Sequence, residues 1–300
     1  METPTPSLPP VLVAEQLAAL LGQPGLRVVD CRFDLDDPGH GALAFSYSRI
    51  PGACRVDLER QLSAPVVPGR TGRHPLPSVS DLEAVLGTLG IGPDTRVVIY
   101  DDFEGGFAAR LWWLLRWLGH REVAVLDGGW SAWADPGFPL ERGPALPVEP
   151  QRFCASPIAS MVAGVDEVMA RLNDPELCLV DARSPARYRG EQEPRDPVAG
   201  RIPGARNAFW RDNLDEDGRF LAPARLRERF LAVLEGQDAG RSVHYCGSGV
   251  TGAHNVLAMT RAGLSTPRLY PGSWSEWIVD PSRPVRRGVA APGGSRGSRV

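Results

Sequence analysis

Short runs of apolar residues end repeatedly in a single polar or charged position along this chain. Arg27-Val-Val-Asp30, Arg96-Val-Val-Ile-Tyr-Asp101, Cys178-Leu-Val-Asp181 and Arg241-Ser-Val-His-Tyr-Cys246 share this form. Apolar runs this short, without alternation, suit parallel strands buried on both faces, with the polar residue at the carboxyl end. Between them the apolar positions recur at helical spacing, predicting helices near 12–21, 80–89 and 105–118, and again near 163–173, 223–235 and 250–262. In the second of these, the order Ser80-Asp81-Leu82-Glu83 suggests a capped start with Ser80 as N-cap. Strands alternating with helices predict an α/β fold, a parallel sheet covered on both faces.

The pattern is written twice. Arg27–Asp30 recurs as Cys178–Asp181, Ser48-Arg-Ile-Pro-Gly-Ala53 as Gly200-Arg-Ile-Pro-Gly-Ala205, Arg96–Asp101 as Arg241–Cys246, and Gly128-Gly-Trp-Ser-Ala-Trp133 as Gly272-Ser-Trp-Ser-Glu-Trp277. The offsets are 151, 152, 145 and 144 residues, in one order, which marks a tandem duplication. The 300 residues then divide into two units, 10–140 and 156–285. Between them runs a linker at 141–155, within the Pro- and Gly-rich stretch that begins at Asp135. A tail at 286–300, poor in apolar residues, is expected to be disordered.

Composition narrows the chemistry. A net charge of -3 gives no basic field for nucleic acid or an anionic membrane. The sequence contains no lysine, which removes Schiff-base chemistry and leaves arginine as the strong anion clamp. No stretch has the length and apolarity of a membrane span or signal peptide, so a cytoplasmic protein is expected. Five cysteines at wide spacings, Cys31, Cys54, Cys154, Cys178 and Cys246, fit neither a disulfide framework nor a zinc site. No metal or organic cofactor is implied.

One cysteine stands apart. Cys246 ends an apolar strand and is followed by Gly247-Ser248-Gly249-Val250-Thr251, where a helix begins. The glycines let successive amides turn inward, and the helix start adds its positive dipole end. A thiol in such a bowl favours the thiolate, and the same bowl can hold a persulfide. The first half carries Asp101 at the equivalent position, so only the second half can carry sulfur. A cysteine-dependent phosphatase is disfavoured, because it needs Arg six residues after the thiol, where Gly252 stands.

On these residues the chain resembles the tandem rhodanese-type sulfurtransferases over roughly residues 10 to 285, with a silent first domain and an active second one. The loop Cys246–Thr251 resembles that of 3-mercaptopyruvate sulfurtransferases, whereas thiosulfate sulfurtransferases more typically place Arg-Lys after the cysteine. The resemblance implies two parallel-sheet domains and a persulfide on Cys246 cradled by residues 247–251. It implies Arg187 and Arg195 as clamps for the donor's carboxylate and carbonyl, and a relay of Ser248, His74 and an acid falling on Glu59, with Asp57 as the fallback. A small-molecule sulfur donor is implied, with a thiol such as thioredoxin, or cyanide, as acceptor. Thiosulfate as donor, and a persulfide carrier or sulfur sensor without turnover, are the alternatives. Arg183 and Arg189 are expected in structural pairs, with Glu191 or Asp196, and Arg49 and Arg201 in packing.

Overall fold

The computed structural model describes residues 7–288. The first half forms a five-stranded sheet of β1 (Val11–Leu12), β2 (Leu26–Asp30), β3 (Cys54–Arg55), β4 (Arg96–Tyr100) and β5 (Val123–Leu126), all parallel, in the order β1-β5-β4-β2-β3. The second half forms β6 (Leu179–Asp181), β7 (Arg206–Asn207), β8 (Val243–Tyr245) and β9 (Arg268–Leu269), in the order β7-β6-β8-β9. Removing β1 makes the two orders identical. Even β1 has an echo, because Val162 bridges Leu269 in parallel.

Helices cover both faces, as burial of the strands on both sides requires. The first half has α1 (Ala14–Leu20), α2 (His40–Tyr47), α3 (Val79–Thr88), α4 (Gly106–Trp117) and α5 (Gly129–Ala134). The second has α6 (Val165–Ala170), α7 (Pro185–Arg189), α8 (Pro223–Leu234), α9 (Thr251–Arg261) and α10 (Ser273–Trp277). The cap of α3 differs from expectation. Ser78, not Ser80, is extended and accepts the Asp81 amide at 3.1 Å, so the helix starts two residues earlier. Glu83 is engaged elsewhere, accepting the Ala155 amide at 2.8 Å.

The duplicated blocks are duplicated networks. At the ends of β2 and β6, Asp30 and Asp181 hold Arg32 and Arg183. Each arginine also donates to a carbonyl of the block before Ile-Pro-Gly, Ser48 or Gly200, at 2.7 Å. It lies over the tryptophan of the last block, Trp130 or Trp274. The Tyr100 and Tyr245 hydroxyls accept from the amides of Ile50 and Ile202. Each recurring motif is thus one corner of a buried polar cluster, which explains why all four recur together. Arg49 and Arg201 brace the chain ends of their domains, Arg49 through Glu141 and the carbonyls of residues 143 and 144, Arg201 through the carbonyls of Tyr188 and Gly288.

Residues 141–155 contain no helix or strand. They run along the first domain, with the Gln151 amide donating to the Gly87 carbonyl and that of Ala155 to the Glu83 carboxylate. Of the tail, Arg286 pairs with Arg201 and the Gly288 amide donates to Arg189, so its first residues dock on the second domain; residues 289–300 lie outside the described residues. Helix α4 is apolar almost all round, which marks it as internal. It packs against α9, its counterpart, so the two domains meet through the helices that start at the two candidate loops. One apolar core runs through both domains at this seam, including Leu111, Trp112 and Leu115 with Val256 and Leu257.

Candidate active site

The loop from β8 to α9 wraps the Cys246 sulfur. The Gly249 amide donates to Sγ at 3.2 Å. Gly249 has φ +80, and a side chain there would collide with the Pro271 carbonyl, so only glycine closes the bowl. The bowl is tied from behind by the start of α10. Ser273 Oγ accepts the Cys246 amide at 3.1 Å, and the Cys246 and Gly247 carbonyls accept the amides of Trp274 and Ser275. Ser273 itself sits at φ +55, fully buried, where the first domain has Gly129 at φ +56.

Burial alone would penalise the Cys246 thiolate. The Thr251 hydroxyl and the amides of Ser248, Gly252 and Gly249 outweigh it and lower the thiol's pKa. The contrast with the other cysteines is direct: burial pushes Cys54 up to about 12, and Cys31 and Cys178 are raised as well. All five cysteines are free.

The first domain builds the same bowl and fills it itself. The Asp101 carboxylate accepts the amides of Phe103 and Gly105 on one oxygen and of Phe107 and Ala108 on the other, each at 2.8–2.9 Å. Glu104, at φ +53, makes the left-handed turn that Gly249 makes in the second domain. The first-domain loop is a cradle with its anion built in.

A cavity of about 280 Å³ opens on Cys246. Arg73, Arg187 and Arg195 reach it, with Phe103 and Trp210 as apolar walls. Every cation is already engaged. Arg187 is held by Glu193 at 2.6 Å and Asp196 at 3.3 Å, and Arg73 crosses from the first domain onto the same Asp196. Arg195 turns outward to Asp36 of the first domain. Arg183 pairs with Asp181 and Glu193, and Arg189 with Glu191, so of the two acids expected only Glu191 is used.

Ser248 and His74 meet across the domain boundary, with Oγ 2.7 Å from Nδ1. Both are buried. Burial, then the charges of Arg110 and Arg73, pull the His74 pKa down to about 3, so the ring is neutral at physiological pH. The third member of the relay is not assembled. Glu59 is exposed and lines a second cavity, of about 630 Å³, together with His74, but no hydrogen bond among the described residues joins them. Asp57 is occupied by Arg55 and by the amides of Glu59 and Arg60. The reason is local: the Asp57 carboxylate caps the turn that follows it, which aims Glu59 outward.

The sequence gives no role to Arg73, Arg110, Glu193 or Ser273, and Asp196, expected to pair with Arg183 or Arg189, instead holds Arg73 and Arg187. Arg73 had a signal, since it adjoins a histidine already singled out. Ser273 had one too, as the residue replacing the second glycine of the Gly-Gly-Trp block.

The description "Rhodanese-like domain" fits residues 13–136 and again 164–280. A Pseudomonas aeruginosa protein named as a probable 3-mercaptopyruvate sulfurtransferase is 52% identical over 93% of this chain and 98% of its own length. The thiosulfate sulfurtransferase of Bos taurus is 34% identical over 89% of each. Among solved structures, a 3-mercaptopyruvate sulfurtransferase from Leishmania major matches with a TM-score of 0.79 and 31% identity, over 91% of this chain and 75% of that one. With two such domains, one cradle filled by a carboxylate and one by a thiol, the chain belongs to the rhodanese-like family and is a sulfurtransferase.

Proposed function

We propose that the protein moves sulfane sulfur from 3-mercaptopyruvate through a persulfide on Cys246 to a thiol acceptor. The observation that carries this reading is the Cys246 cradle: a buried thiol with a lowered pKa, ringed by amides and facing a cavity that arginines enter. In the first half-reaction the thiolate attacks the donor sulfur and the donor's carbon–sulfur bond breaks. The electron pair leaves with the carbon as pyruvate enolate, and the proton from the donor's thiol ends on the methyl group of pyruvate. Ser248 donates a hydrogen bond to the enolate oxygen, with His74 holding the hydroxyl in place. A thiolate acceptor, such as that of thioredoxin, then takes the outer sulfur and regenerates Cys246.

Two features favour mercaptopyruvate over thiosulfate. The residues after Cys246 are neutral, and the cavity's arginines are matched by Glu193, Asp196 and Asp36. A singly charged keto acid can insert its carboxylate beside Arg187, whereas a doubly charged inorganic anion finds little excess positive field. Relatives carry both names, so the donor is decided by assay. The proposal includes a reducing, cytoplasmic setting, in keeping with five free cysteines. Side-by-side turnover of wild type and Cys246→Ser with each donor, using cyanide as acceptor, tests it. Turnover that favours mercaptopyruvate and vanishes in the variant supports the reading; a thiosulfate preference overturns the donor, and turnover that survives in Cys246→Ser overturns the mechanism.

A further inference from the structure

Arg110 lies in the second turn of α4, in the silent domain, and is completely buried. An arginine at that depth ordinarily has a carboxylate partner, because an uncompensated buried charge is costly. Among the described residues none pairs with it. Its guanidinium donates only to two carbonyls, Gly249 in the sulfur cradle at 3.3 Å and His74 at 3.5 Å. Its Nε has no partner among the described residues. It therefore joins the two segments that meet at Ser248, one from each domain.

Its surroundings leave the counter-charge to the sulfur. Burial lowers the Arg110 pKa to about 10, and Cys246 is the one group that raises it again. The other charged groups at the thiol are committed: Arg73 and Arg187 to Asp196 and Glu193, and Arg183 to Asp181 and Glu193, while His74 is neutral.

The duplication supplies a comparison. Across the α4–α9 seam, the second domain reaches the silent cradle with His254, whose Nε2 lies 3.3 Å from the Glu104 carbonyl. Glu104 is the counterpart of Gly249. Opposite the cradle that contains its own carboxylate stands a neutral imidazole, with its pKa pulled to about 3 by burial. Opposite the cradle whose anion comes and goes stands a permanent cation.

We propose that Arg110 is a positioning residue supplied by the silent domain, whose charge balances the Cys246 thiolate and persulfide from behind the cradle. The duplicated half is then retained for an electrostatic contribution as well as for a wall. The inference rests on Cys246 as the sulfur carrier, but its test reads the thiol directly and needs no turnover.

The experiment is the pH dependence of Cys246 alkylation by iodoacetamide, followed on the Cys246 peptide by mass spectrometry, in wild type, Arg110→Met, Arg110→Gln and Arg110→Lys. Cooperative melting checks that each is folded. The glutamine keeps a donor without the charge, and the lysine keeps the charge. Arg110→Met and Arg110→Gln are expected to move the midpoint up by about one pH unit, a roughly tenfold loss of thiolate at a pH below it. Arg110→Lys is expected to stay within about threefold of wild type, a shift under about half a unit. A glutamine variant with the wild-type midpoint would reduce Arg110 to a tether and overturn the inference. Should neither neutral variant fold, the lysine variant decides: a wild-type midpoint supports the charge, and a raised one overturns it.

Discussion

Four histidines, His74, His120, His244 and His254, are buried with their pKa lowered by burial, and they should make the fold sensitive to mild acid. His74, His244 and His254 each have a pKa near 3, with burial as the leading cause in every case. The unfolded chain titrates them near 6.5, so between those values the unfolded state binds a proton at each site that the folded state refuses. A depressed histidine pKa contributes stability that is present above about 6.5 and is lost as pH falls toward 3. From pH 7 to pH 5 each site costs about 2 kcal/mol, or about 6 kcal/mol for the three. Asp101 works the other way: burial raises its carboxyl to about 6, so on acidification the folded state takes up its proton first and regains about 1 kcal/mol. Asp127 and Glu276 are raised too and add in the same sense. The net loss of about 4–5 kcal/mol is a large part of the stability of an ordinary domain and should lower the melting temperature by about 10–20 °C. Thermal melting across pH 5–7, followed by circular dichroism, reads this. His254→Gln keeps a donor toward the Glu104 carbonyl and should remove about 1 kcal/mol per pH unit, about 40% of the net slope, whatever it does to stability at pH 7. A melting temperature flat from pH 7 to 5, or an unchanged slope in the variant, would show that the buried rings do not set the acid response.

Arg187→Gln should raise KM for mercaptopyruvate about tenfold or more, because a bidentate partner for the donor's carboxylate is lost; steady-state kinetics with a near-wild-type KM would remove that role. Ser248→Ala should lower kcat with mercaptopyruvate by about 10²-fold, since one donor to the developing enolate disappears, as single-turnover pyruvate release would record. Glu59→Gln should leave kcat within about threefold of wild type, whereas His74→Ala should slow sulfur loss about as much as Ser248→Ala; the exposed carboxylate has no bond to the ring. Gly249→Ala should cost about 2 kcal/mol or more and abolish Cys246 reactivity, because the left-handed turn and the nearby Pro271 carbonyl exclude a side chain; denaturant titration together with thiol alkylation checks both.

Much of this architecture is legible in the residues because the duplication repeats its own signals. The block Arg-Ile-Pro-Gly-Ala and the aspartates that end the β2 and β6 runs recur together because each forms part of one buried Asp–Arg–Tyr–Trp cluster. The cradle was readable from Cys246 and its glycines, since strand, tight turn and helix start leave the amides one place to point. The pairings within the cavity were not readable. Which carboxylate meets Arg187 or Arg195 depends on loop paths that bring Asp36 and Asp196 in from 159 and 9 residues away. Arg110 was hidden inside an apolar helix, where spacing shows a buried position but not which cradle it faces. The helix cap at Ser78 was missed in favour of Ser80 because the two serines stand two residues apart and both precede an acid.

The most direct test of a sulfur-carrying Cys246 is the mass of its peptide after the protein meets mercaptopyruvate with no acceptor present. The expected result is a gain of one sulfur atom on that peptide alone, removed by a reducing thiol and matched by one equivalent of pyruvate. Pyruvate released with Cys246 unmodified, or the sulfur found on Cys154 instead, would contradict it.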